Sequence, residues 1–61
     1  MNVSVVTYFE VVLNGALLAT TDDEQEARAA RPENGSVFAV CKTVVDRGDE
    51  VDTMINKKRI D

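Results

Sequence analysis

The stretch that decides the fold is residues 3–21, VSVVTYFEVVLNGALLATT. Its centre is the pair Asn14-Gly15, and both residue types tolerate the positive φ angles that a type I′ turn requires. The flanking segments are rich in β-branched, aromatic and aliphatic residues, which favour strands. The stretch therefore predicts a β-hairpin with strands over residues 3–13 and from Ala16 to about Thr21.

A two-residue turn also predicts the pairing register of this hairpin. Val11 is expected to face Leu18, and Phe9 to face Thr20, with the more apolar odd-numbered residues of the first strand directed to the core. A second apolar set is expected on the other face: Val6, Tyr8, Val12 and Leu17. Either other parts of the chain cover this set, or it forms an interface with a partner or a second copy.

The hairpin is followed by the signals of one short helix. Thr21 and Glu24 have the spacing of a capping box. In this motif the Thr21 hydroxyl accepts a hydrogen bond from a free amide at the helix start, and the Glu24 side chain reaches back to an amide before it. We therefore expect a helix from Asp22 to about Arg31, because Pro32 disfavours helical geometry in the residue before it. So short a helix is stable only when docked, and its apolar residues are all alanines.

The remaining chain predicts two more strands. Residues 36–45 are apolar on both faces, as in a central strand, and residues 50–56 alternate after a glycine-containing turn. Residues 57–61 are predicted to form a frayed polar tail. The expected fold is a single α+β domain over residues 1–61, a four-stranded antiparallel sheet (ββαββ) with one short helix packed on one face.

Composition argues against an enzyme and against a metal or cofactor site. The 61 residues include no histidine, the commonest general base and neutral metal ligand. The one cysteine, Cys41, lies in an apolar strand and is explained as a small core residue. No leader peptide or membrane span is expected, and the lack of cysteine pairs favours a reducing, cytoplasmic setting.

The net charge of −4 disfavours direct contact with nucleic acid, and the basic residues cluster only weakly at 57–59. Eight of the eleven acidic residues lie in two clusters: Asp22, Asp23, Glu24 and Glu26, and then Asp46, Asp49, Glu50 and Asp52. Separate solvated loops explain both clusters. If the fold joins them on one surface, they would instead mimic a row of phosphates.

The succession of Tyr8 to Thr21 and an acidic, alanine-rich helix resembles small phage-encoded proteins that act on host machinery. These include anti-CRISPR proteins and inhibitors of host polymerases or nucleases. The resemblance covers residues 8–40 and concerns architecture and composition, so it assigns no role to any residue. It implies a host protein as the partner and the host cytoplasm as the compartment.

These observations predict a small non-enzymatic protein, a phage-type inhibitor or adaptor that docks on a host protein. Tyr8, Val12 and Leu17 would supply the apolar anchor. Acidic residues would steer the chain toward a basic, nucleic-acid-binding surface of the partner; these are Asp22, Asp23, Glu26, Asp49, Glu50 and Asp52. The alternatives are a structural homo-oligomer such as a homodimer, and an acidic DNA mimic.

Overall fold

A computed structural model describes all residues, 1–61. The elements in chain order are β1 (Asn2–Leu13), β2 (Ala16–Thr21), α1 (Glu24–Ala30), β3 (Ser36–Asp46) and β4 (Val51–Arg59). The strands form one antiparallel sheet in the order β2-β1-β3-β4. The predicted α+β class, the four-stranded antiparallel sheet and the single short helix are confirmed.

The first hairpin has the predicted turn but a different register. Asn14 and Gly15 have φ angles of 52° and 79°, as a type I′ turn requires. A β-bulge then shifts β2 by one residue, so that Val11 faces Ala19 and not Leu18. The predicted Val11–Leu18 pairing is therefore wrong, and so is the pairing of Phe9 with Thr20, because Phe9 faces Thr21.

The bulge makes Leu18 the inserted residue of β2, and its side chain is exposed instead of joining the core. A bulge bends its strand and increases the local twist. Here it bends an edge strand shortly before the chain leaves the sheet to begin α1. The predicted register failed because it assumed an undistorted ladder.

Helix α1 begins two residues later than predicted. Its N-cap is Asp23, whose Oδ1 accepts a hydrogen bond from the amide of Gln25 at 2.9 Å. Thr21 remains in β2, where its hydroxyl accepts from the Asp23 amide and donates to Glu26. The predicted capping box is therefore wrong. With seven residues, α1 is neither long nor apolar enough to cross a membrane.

The core is small and lies at one end of the sheet. Helix α1 packs on β1 and β2, and the fully buried cluster consists of Val11, Ala27 and Val37, with Phe9 and Ile60 packed against it. The odd-numbered face of β1 is therefore the core face only beneath the helix. Towards the start of β1, the same face is left open to solvent.

Residues 57–61 do not fray, contrary to the sequence prediction. Strand β3 is long enough to pair with β4 as far as Arg59, which faces Phe38. Beyond the strand, the Ile60 amide donates to the carbonyl oxygen of Val37 at 2.9 Å. The Asp61 carboxylate accepts from the Val37 amide at 3.1 Å. The sequence prediction failed because the segment is mostly polar, although Ile60 packs against the core and the Asp61 carboxylate accepts a backbone hydrogen bond.

Candidate functional site

The face of the sheet opposite α1 carries the predicted anchor residues. The pairing register places Tyr8, Val12 and Leu17 together on this side. It also places three residues there that the sequence did not single out as a site: Glu10, Phe38 and Lys57. We call these six residues the open face, because no other element of the chain covers them.

The open face is shaped by two shallow depressions on the hairpin side. Both are lined by Glu10 and Leu17. Tyr8 and Asp22 border the first depression, and Phe38 borders the second together with Val12 and Lys57. The surface thus combines apolar side chains with a few charged ones.

An ion pair crosses the centre of the open face. The Lys57 ammonium on β4 lies 2.9 Å from a carboxylate oxygen of Glu10 on β1, so the pair spans the intervening strand β3. The Glu10 side chain is only 12% exposed. Val40 lies beneath this crossing between Tyr8 and Lys57 and is almost fully buried. The pair therefore covers the middle of the sheet and fixes two opposite charges in place.

The hydrogen bond from Lys57 to Glu10 raises the pKa of the Lys57 ammonium above its ordinary value of 10.5. A group with a raised folded-state pKa stabilises the fold fully below its unfolded pKa, and this stabilisation is lost as the pH rises through the folded value. We therefore expect urea unfolding to show a loss of stability above pH 10.5 in the wild type. Glu10→Gln should weaken this alkaline step, and an unchanged step would contradict the pairing.

Most side chains of the first acidic cluster form contacts within α1 or at its start. Asp23 caps α1, and Glu26 accepts from the Thr21 hydroxyl. Glu24 forms an ion pair with Arg28 at 3.0 Å. Asp22 is the one member that borders the open face. Of the predicted residues in this cluster, only Asp22 is therefore placed beside the anchor residues.

The second acidic cluster lies at the other end of the sheet. Asp49 and Glu50 are in the β3–β4 turn, and Asp52 pairs with Arg47 on the face that carries α1. The first cluster follows Thr21, which lies at the level of Ala39 in the sheet, whereas the second surrounds Asp46 at the end of β3. Seven residues of strand separate these levels, about 23 Å. The two clusters do not form one continuous row.

The described residues contain no group of three or more histidine, cysteine, aspartate or glutamate side chains placed to hold a metal ion. Cys41 is half-buried in the central strand, where it faces Thr7 on one side and Asn56 on the other. Comparisons of the chain with protein-family models, with curated proteins and with solved structures found no match.

Proposed function

We propose that this chain is a non-enzymatic protein-binding domain that docks on a partner protein through the open face. The observation that carries this proposal is an uncovered apolar surface arranged around a fixed, half-buried ion pair. Leu17 is exposed, and Tyr8, Val12 and Phe38 are each partly exposed on the same side. Aromatic and aliphatic anchors beside a few oriented polar groups are the usual energetic centre of a protein interface.

Charge supports a partner with a basic rim. The chain carries a net charge of −4, and Asp22 lies at the border of the open face beside Tyr8. Such a charge accelerates encounter with a positively charged partner and disfavours an acidic one. The resemblance to phage-encoded inhibitors supports a host protein in the host cytoplasm as the partner. The DNA-mimic alternative has less support, because its two acidic clusters lie at different levels of the sheet.

Two neighbouring leucines of β2 allow a matched test of the open face. Leu17 and Leu18 are similarly exposed, at 56% and 51%, but only Leu17 lines the depressions. We expect Leu17→Glu to weaken binding at least about tenfold, which is typical of losing a central apolar anchor. Leu18→Glu should leave the affinity nearly unchanged.

The measurement has two steps. Proteins that the immobilised wild type retains from a candidate host lysate, and that Leu17→Glu does not, are identified by mass spectrometry. The affinity of each purified candidate is then measured by calorimetry for the wild type and both variants, after circular dichroism has shown that all three fold alike. Equal effects of the two substitutions on every candidate would refute the open face as the docking site.

A further inference from the structure

Strand β1 has a long free edge. It pairs with β3 over residues 2–12, but β2 pairs only with residues 9–13. Asn2–Tyr8 therefore has no paired strand on its other side. We call this segment the β1 edge. It shares only Tyr8 with the open face, so the inference drawn from it is independent of the proposed docking site.

The directions of the backbone amides and carbonyls along β1 follow from those of its partner strand β3. The Val37 amide donates to the Asp61 carboxylate, and the Val37 carbonyl accepts from the Ile60 amide. Both groups of Val37 therefore point to the β4 side of β3. Its partner Val11 therefore directs its own amide and carbonyl away from β3, toward β2. Because these directions alternate along a strand, Val3, Val5 and Thr7 direct their amides and carbonyls into the free edge; their side chains lie on the face that carries α1.

The β1 edge lacks the features that normally protect an edge strand. Its sequence, NVSVVTY, contains no charge, no proline and no glycine. The opposite edge, β4, carries four charged residues: Asp52, Lys57, Lys58 and Arg59. Edge charges and prolines are the usual means by which proteins prevent strand pairing between molecules. Strand β2 is the other outer strand, but it is only six residues long and is interrupted by the bulge at Leu18, which disrupts regular pairing. Of the three free edges, the β1 edge is thus the one suited to accept another strand.

The chain alone also buries too little surface for its mass. Its radius of gyration is 13.7 Å, whereas a compact chain of this length has about 10.5 Å. Its accessible surface is 4449 Å², about 500 Å² more than the roughly 3,900 Å² expected of a compact monomer. Covering that excess on two copies would bury on the order of 1,000 Å², which approaches the area of a small stable interface.

We propose that the β1 edge pairs with the β1 edge of a second copy, antiparallel and about a two-fold axis through Val5. In this register Val5 faces its own counterpart and Val3 faces Thr7 of the other copy. Because all three residues direct their backbone groups into the edge, the three pairs exchange about six hydrogen bonds. Thr21 already pairs with Phe9. The second copy therefore cannot shift its register toward the hairpin, because its strand would have to take the place of Thr21.

The resulting assembly is a continuous antiparallel sheet in the order β4-β3-β1-β1-β3-β4, with both helices on one face. Strand β2 of each copy stays beside residues 9–13 of its own β1. A two-fold interface must be self-complementary, since the same patch contributes both sides. The β1 edge meets this condition because it is uncharged, so no like charges oppose each other in any of its pairs.

Disulfide trapping tests the register directly. In a Cys41→Ser background, Val5→Cys should form a covalent dimer under mild oxidation, because residues in a directly hydrogen-bonded antiparallel pair have Cα atoms about 5.5 Å apart. Val3→Cys lies on the same edge and the same face, but it would be about 13 Å from its counterpart, four residues along the strand. It should remain a monomer on a non-reducing gel. Equal trapping of both variants, or none of Val5→Cys, would overturn the proposal.

Sedimentation velocity at micromolar chain concentrations provides the second readout. The wild type should sediment as a dimer, and Val5→Lys should weaken the dimer at least about tenfold by placing two ammonium groups opposite each other. Val51→Lys is the control, because Val51 and Val5 are equally exposed, at 62% and 61%. A monomeric wild type, or a dimer that only Val51→Lys disrupts, would show that the β1 edge is not the interface.

Discussion

Ala27→Asp is expected to abolish the cooperative unfolding transition of this domain at room temperature. Ala27 has no exposed surface and packs with Val11 and Val37 in the only fully buried cluster. A carboxylate at this position has no cationic partner in the cluster, and burying it costs about 3–5 kcal/mol. The total stability expected of a domain of this size is only about 3–9 kcal/mol.

Ala29→Asp is the matched control for this substitution. Ala29 lies in the same seven-residue helix but is exposed, so it carries the same change in helix propensity without the burial. We expect it to cost about 0.5 kcal/mol. Urea unfolding followed by circular dichroism measures both variants. If the two substitutions had similar effects, the docking of α1 through Ala27 would be refuted.

Local signals predicted the number and the type of the secondary-structure elements well, although not every boundary, because each signal depends on a few neighbouring residues. Asn14-Gly15 specified its turn, since few residue pairs tolerate two consecutive positive φ angles. The bulge at Leu18 was not predictable in this way. It depends on how β2 bends to bring the chain to α1, and no residue type in β2 marks it.

The candidate site shows the same division between local and long-range information. Strand alternation was sufficient to place Tyr8, Val12 and Leu17 on one face. The ion pair between Glu10 and Lys57 depends on two further ladders, β1 with β3 and β3 with β4. Glu10 was visible as the one charge within β1, but its partner lay in a segment that the sequence predicted to be frayed.

The segment after β4 should contribute strongly to stability, and Ile60→Ala tests this. Ile60 packs against the core cluster and accepts a hydrogen bond from Arg28 at 3.1 Å through its carbonyl. Truncating a partly buried isoleucine next to so small a core should cost about 2 kcal/mol. Ile55→Ala removes the same atoms from an exposed position of β4 and should cost no more than about 0.5 kcal/mol.

Asp61→Ala should destabilise the same anchor and do so in a pH-dependent way. The Asp61 carboxylate is 7% exposed, accepts from the Val37 amide and pairs with Arg31 and Arg59. The Arg59 hydrogen bond, with that of the Val37 amide, holds the pKa of Asp61 well below its ordinary value of 3.8. Stabilisation by a carboxylate of lowered pKa is complete above the unfolded value and is lost as the pH falls through the folded value. The difference in urea midpoint between the wild type and Asp61→Ala should therefore be constant near neutral pH and should decrease below pH 3.8. If the segment were frayed, the two proteins would have the same urea midpoint at every pH.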